Sequence, residues 1–395
     1  MRRWLCHPDV GGGRPVSADR TTDRTDLAAE QVAGATQPEG TVPAEPAEAG
    51  GATGASGSSR PSSRLRERLR GRGLWALLVE LARVPSASVT VATVGLTLLI
   101  GALHPDFLRI GQLLDILQAS AYVGLIAIGM SYLIAMREID LSVGSSFGLC
   151  VIAAALLMEH GWSPWLAALA GILVGGVLGL VNAILVTVVR IPTIVATLAT
   201  LSVYRGLAIG STNGQQVTNF DTSGSFFSVL GGHLWGVPFS VYVLVIVAIP
   251  LGFAMHHTKF GYRVLAIGSN PEAATFSGIS LSRVRTQVLV LVGLLCGVGG
   301  MLGLAFFSAG DPNIGTGFEL QAIAAAVIGG TPLRGGSGTV FGAVVGAVLL
   351  NVVSSGLSYF NIPANWSAFA TGLVILVAVG LDSAVRRRRS ARAAT

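Results

Sequence analysis

From residue 84 onward the chain is a succession of apolar runs separated by short polar breaks, and this pattern leaves lipid as the only fitting solvent for most of its surface. A helix needs about 20 residues, at ~1.5 Å each, to cross roughly 30 Å of hydrocarbon. The runs read as spans at 84–103, 113–136, 139–158, 165–189, 191–210, 239–255, 286–309, 319–331, 339–358 and 366–380, the eighth and tenth short. A soluble fold would need a polar exterior. Here only 12% of the residues are charged against 51% that are hydrophobic. The expected fold class is therefore all-α: a polytopic membrane bundle of about ten transmembrane helices, some of them broken or short.

The distribution of charge tests that count. With the N-terminus placed in the cytoplasm, the inner breaks hold Arg137, Arg190, Lys259, Arg263, Arg283, Arg285, Arg334 and the run Arg386–Arg389. The outer breaks at 104–112, 159–164, 211–238, 310–318 and 359–365 hold one basic residue, Arg109. Basic residues are retained on the cytoplasmic side, so the bias predicts both termini inside. It also accounts for the net charge of +6 without nucleic acid, since no basic patch is interleaved with aromatics. Cys6, Cys150 and Cys296 have neither metal nor disulfide spacing.

Three regions follow. Residues 1–74 form a cytoplasmic tail whose stretch 29–63 has hardly a large apolar side chain and is expected to be disordered. No apolar core of a signal peptide lies near Met1. Arg64, Arg66, Arg68, Arg70 and Arg72 precede the first run as a cytoplasmic anchor. Residues 75–385 form the transmembrane domain, with an inner loop at 256–285, and 386–395 a basic tail. Two glycine series at four-residue spacing, Gly171/Gly175/Gly179 and Gly338/Gly342/Gly346, predict helix faces that permit close backbone approach.

Catalytic chemistry is scarce. Lys259, the one lysine, is followed by Phe260, so the chain lacks a phosphate-binding loop of the Walker type and does not hydrolyse ATP itself. His256 and His257 are adjacent and point about 100° apart on a helix, a poor metal pair. The segment 329–336, rich in glycine, reads either as an anion cradle or as a tight break between half-helices, and the break is favoured. Few ionisable residues lie within the spans, with Asp115 and Arg205 near span ends, which argues against ion coupling.

Two stretches stand out. In Glu138–Ser145 a helix is expected to start with Asp140 or Ser142 as its N-cap. In the inner loop, Asn270, Pro271 at the first helical position, Glu272 in the first turn and Gly278 at the end spell a short capped helix. Such a helix, with Phe276 and Ile279 exposed, invites a partner protein.

The segment Ala266–Ala274, running into Ser277-Gly278-Ile279, resembles the coupling-helix segment of permeases from sugar-importing ABC transporters of the ribose, xylose and rhamnose type. Ile139–Ser145 and Gly315–Thr331 resemble two further signatures of that family, in the same order, and the similarity covers about residues 84–385. Arg137-Glu138 departs from the glycine pair of many members, though xylose-type members also carry Glu there, and Pro332 and Arg334 replace commoner small residues. The resemblance implies a permease subunit in a bacterial cytoplasmic membrane that pairs with a second copy or a homologue. Two ATPase subunits bind the ATP, so no cofactor is expected in this chain, and an extracytoplasmic binding protein delivers the sugar. It assigns ATPase coupling to Gly268, Asn270, Glu272, Ala273, Ala274, Ser277 and Gly278. Asp140, Ser142, Glu319 and Gln321 are the candidates for the translocation path. An ion-coupled secondary transporter of a small polar solute is the alternative; a membrane enzyme lacks a catalytic constellation, and a passive channel leaves the capped loop helix unexplained.

Overall fold

The computed structural model describes residues 85–363 together with Trp366, Phe369, Gly372, Leu373 and Leu376. Nearly all of this is helical. In chain order the helices are α1 (Pro85–Leu103), α2 (Ile110–Ala135), α3 (Val143–Glu159), α4 (Pro164–Thr187), α5 (Thr193–Ser211), α6 (Ser225–Leu230), α7 (Phe239–His257), α8 (Lys259–Ser269), α9 (Pro271–Phe276), α10 (Leu281–Phe307), α11 (Phe318–Ile328) and α12 (Val340–Tyr359). A two-stranded hairpin, β1 (His233–Leu234) and β2 (Val237–Pro238), stands between α6 and α7.

Six of these helices are long and apolar enough to cross a membrane: α2, α4, α5, α7, α10 and α12. Helices α1, α3 and α11 complete nine of the ten expected spans. The tenth, at 366–380, lies mostly outside the described residues, as do the tails at 1–74 and 386–395. Helix α3 starts at Val143 rather than 139, and α11 stops at Ile328, where Gly329 and Gly330 end it. Helix α10 begins at Leu281, a turn and a half earlier than its apolar run suggests.

The bundle is organised around α2 and α10, whose most apolar windows are 72% and 78% buried, against 17% for the peripheral α7. Helix α10 packs most extensively on α4. A Cβ at Gly175 would overlap the carbonyl oxygen of Gly293, and one at Gly293 would overlap that of Gly175. The Gly171/Gly175/Gly179 stripe thus meets Gly293 and Gly297 backbone to backbone, the expected close approach. In lipid, where no hydrophobic effect draws helices together, such van der Waals contact is the main source of association. The second series holds for two of its three members: side chains at Gly342 and Gly346 would run into the carbonyl oxygens of Gly329, which ends α11, and Ala325, whereas Gly338 precedes α12 and lies against Ala135 and Met255.

Helix ends carry their own chemistry. Ser163 accepts from Leu166 N at 3.4 Å with Pro164 at the first position of α4, and Thr339 accepts from Gly342 N at 3.2 Å at the start of α12. The 329–339 connection is a tight break. Several of its amides bond within the chain, Thr331 N to Ala326 O, Gly335 N to Pro332 O and Gly336 N to Ala135 O. Opposite it, Val217 and Gly310 exchange two backbone bonds of 2.9 Å, tying the 212–224 and 308–317 segments together.

Candidate functional site

Two regions gather the residues singled out by the sequence. The first is the start of α3. Asp140 precedes it and is 2% exposed. Its Oδ1 accepts from Ser142 N at 2.7 Å and from Ser142 Oγ at 2.6 Å. Asn182 Nδ2, from α4, donates to Ser142 Oγ at 2.8 Å and lies 3.3 Å from Asp140 Oδ2. Tyr204, from α5, is placed to donate to Asn182 Oδ1 at 3.1 Å or to Leu178 O at 3.0 Å. A carboxylate, a hydroxyl, an amide and a phenol thus form one buried network joining three helices.

Of the two expected caps, Asp140 or Ser142, the structure takes Ser142. Ser142 occupies the N-cap position of α3 but makes no side-chain cap bond, because its hydroxyl is committed to Asp140. The network also encloses Asp140 and Ser142, which the sequence put on the translocation path. Buried polar groups need such partners, and a network this complete fixes the register of the helices that supply it.

One turn further along α3 the chain is open to a second group. A Cβ at Gly144 would collide with Glu319 Oε2 and with the carbonyl oxygen of Gly315. A Cβ at Gly148 would lie 2.8 Å from Ile314 O and 3.2 Å from Arg205 Nη1. Arg205 itself donates to Pro312 O at 2.7 Å and Ile314 O at 3.0 Å. The N-termini of α3 and α11 therefore converge, with the Arg205 guanidinium clamping the loop between them. At ~1.5 Å per residue the 11 residues of α11 cover only about half of a bilayer core. Paired short helices whose N-termini meet in this way line substrate cavities in membrane transporters. Glu319 and Gln321 are half-buried on α11, beside the exposed Leu320. Glu319 joins the α3 start.

The second region is the inner loop. Sequence reasoning found α9 and missed α8. Asn270 Oδ1 accepts from Ala273 N at 3.0 Å, Pro271 follows, and Glu272 sits in the first turn. The helix ends on a Schellman motif, with Ile279 N bonded to Ala274 O, Gly278 N to Thr275 O, and Gly278 at φ +81°. Phe276 is 91% exposed, while Ile279 is half-buried. Helix α8 buries Gly261, Val264, Ile267 and Gly268 along one face. A Cβ at Gly268 would strike Ala135 O and Gly336 N, so α8 docks by its backbone on the end of α2 and on the α11–α12 break. Arg137 Nη2 donates to Ser269 O at 2.8 Å across the same joint. Of the residues assigned to coupling, Gly268 and Ala274 are buried in this chain, whereas Asn270, Glu272, Ala273, Ser277 and Gly278 are exposed. The buried pair positions the segment and offers no surface to a partner.

Asn182, Tyr204 and Arg205 were not among the residues the sequence proposed for a site. Each is a single polar group in an apolar helix, and only the helix packing shows that they converge.

Comparison with known proteins gives the family. The chain is 35% identical over 324 residues to an L-arabinose ABC transporter permease protein of Azospirillum brasilense, covering 82% of this chain and 93% of that one. It is 36% identical over 296 residues to a ribose import permease protein of Bacillus subtilis, covering 75% and 91%. A xylose transport system permease protein of Escherichia coli is 32% identical, covering 69% of this chain and 85% of that one. No solved structure matches. The family model described as the branched-chain amino acid transport system / permease component matches residues 112–379, and the chain belongs to that permease family.

Proposed function

We propose that this chain is the transmembrane subunit of an ATP-driven importer of the ABC type, carrying a monosaccharide such as a pentose across a bacterial cytoplasmic membrane. It works as a pair with a second copy or a homologous permease. An extracytoplasmic binding protein delivers the sugar, and two ATPase subunits bind and hydrolyse the ATP. The chain is not itself an enzyme. Residues 75–385 form the permease unit, and both tails lie in the cytoplasm.

The observation that carries the reading is the α8–α9 unit. A capped helix stands on the inner loop with Glu272 and the almost fully exposed Phe276 facing away from the chain. Its base is locked to α2 through Gly268 and Arg137. An exposed aromatic and a first-turn carboxylate suit a protein groove, since aromatics dominate binding energy at interfaces. Closure of the ATPase dimer would move α9, and the backbone contacts of α8 would pass that displacement to α2 and to the α11–α12 break. Access to the region between the α3 and α11 N-termini would then alternate by population shift. The names of the relatives supply the sugar class; three different sugars among them leave the particular sugar to the binding protein.

Gentle affinity purification from the native membrane tests the assembly. An ABC-type ATPase and a soluble binding protein should be recovered with the chain, and the binding protein can then be screened for its sugar. Recovery of the chain alone, active in uptake driven by an ion gradient, would replace this reading with a secondary transporter.

A further inference from the structure

A cavity of about 660 Å³ opens where α2, α4, α5 and α10 end on the basic side of the bundle. Arg137, Glu138, Arg190, Thr193, Ser282 and Arg285 line it. Three arginines thus face a single carboxylate. Arg285 Nη2 pairs with Glu138 Oε1 at 2.6 Å, yet Arg285 Nε is out of contact with solvent and has no hydrogen-bond partner. The hydrogen bond of Arg137 goes to the neutral Ser269 carbonyl, which leaves its charge unbalanced. Arg190, held at φ +66° between α4 and α5, pairs with no carboxylate among the described residues. Pro192 precedes α5 and supplies no side-chain cap, so the positive end of that helix also faces the cavity.

The rim has a second chemistry. Val188, Val189 and Ile194, on the adjoining ends of α4 and α5, are 70%, 57% and 52% exposed. Strong positive charge inside and apolar surface at the lip match one amphiphile. We infer that this cavity binds the phosphate of an anionic phospholipid, with the acyl chains lying along α4 and α5. Free phosphate shares the charge chemistry but gains nothing from the apolar lip. A lipid seated there bridges the α2–α3 turn, the α4–α5 turn and the start of α10, directly after the loop that carries α9.

The test uses the full chain in neutral detergent, with mixed micelles containing phosphatidylglycerol, micelles containing phosphatidylcholine, or inorganic phosphate as the probe. Phosphatidylglycerol should raise the thermal midpoint and be retained in native mass spectra, while the other two should do neither. Arg190→Gln should weaken apparent phosphatidylglycerol affinity about fivefold, the contribution of one basic residue at an anionic surface, and Arg190→Lys should keep most of it. Ser282→Glu places an acid in the first turn of α10, where it suits the helix dipole, and should expel the lipid without unfolding the chain. Unchanged phosphatidylglycerol retention in Arg190→Gln and Ser282→Glu would overturn the inference. An equal response to inorganic phosphate would assign the cavity to a free anion instead. Loss of ATPase association in these variants with lipid retention intact would assign it to an acidic partner segment, which also refutes the lipid.

Discussion

Replacing Asp140 separates a structural role for the α3 start from a role in translocation. Its Oδ1 holds both Ser142 N and Ser142 Oγ, and Asn182 Nδ2 lies 3.3 Å from Oδ2. Hydrogen bonds to an ionised group contribute about 1.5–3 kcal/mol each, so the two short bonds together are worth roughly 3–6 kcal/mol. Removing a buried charge recovers part of its desolvation cost. Asp140→Ala should therefore destabilise the chain by about 2–4 kcal/mol net, because Ser142 N–H is left without an acceptor. Asp140→Asn keeps an amide oxygen for Ser142 but turns an NH2 group toward the NH2 of Asn182, and should lose about 1–2 kcal/mol. The order of stability should be wild type, then Asn, then Ala, read by denaturant unfolding in detergent. Sugar uptake at matched membrane abundance supplies the second readout. The enclosed network implies that Asp140→Asn transports at near the wild-type rate per folded molecule. An Asn variant as stable as wild type that nevertheless fails to transport would refute this reasoning and return Asp140 to the path.

Gly175→Ala should destabilise the bundle by about 1–3 kcal/mol, since its Cβ must separate α4 from α10, whereas Gly206→Ala, with nothing within 4 Å, should be neutral or mildly stabilising. Equal unfolding midpoints for the two would deny that the glycine stripe sets the helix spacing. Glu272→Arg should abolish recovery of the ATPase while leaving the unfolding midpoint of the permease unchanged. Phe276→Ala, at a side chain 91% exposed, should cost the fold less than about 0.5 kcal/mol yet weaken ATPase binding about thirtyfold or more; normal complex yield from either variant would remove α9 as the docking element. Gly268→Ala should leave the ATPase bound but lower the sugar moved per ATP hydrolysed, because it lifts α8 off Ala135 and Gly336; wild-type coupling would show that α8 is not the transmitting joint.

The spans were legible because hydropathy is additive along a run and needs no knowledge of partners. Where hydropathy erred, a specific bond overrode it. Ile139 and Leu141 read as the start of a span, but the bonds from Ser142 to Asp140 turn residues 136–142 into a connection and delay α3 to Val143. Helix α9 was legible because its signals are local: an Asn cap, a proline at the first position, a closing glycine. Helix α8 was not, because Gly261 and Gly268 argue against a helix in isolation. Both are required by the backbones they meet, Gly261 by the end of α7 and Gly268 by the end of α2. The glycine stripe on α4 was visible for the same reason that α9 was, a fixed local spacing. Its receiving face, Gly293 and Gly297, lies more than 100 residues away and was not. Asn182 and Tyr204 escaped for that reason too, since each acquires meaning only from the carboxylate network beside it.

The joints differ in kind, and that difference suggests where the chain yields. Between α4 and α10 the contact is continuous, with glycine backbones interlocked over two turns, and it leaves no room for sliding without losing van der Waals contact along its length. Between α8 and α2 the attachment is made at both ends of the short helix: Gly268 against Ala135, one arginine bond to Ser269 and one backbone bond from Gly336 to Ala135 at one end, and Phe260 stacked on Tyr132 at 5.7 Å at the other. Held at two places, α8 passes a displacement directly to α2. Helix α9 follows α8 at one end and, through Gly278 and the Ser280 cap, joins the start of α10 at the other. A push on α9 therefore loads two elements at once: α10, which moves with α4 as one body, and the α2 end, which bears on the break ahead of α12. The short α11, whose N-terminus meets that of α3, is packed along its length on α2 and α12 and belongs to the same body as they do. Relative motion of those two bodies would open or close the space beside Glu319 without breaking any long helix.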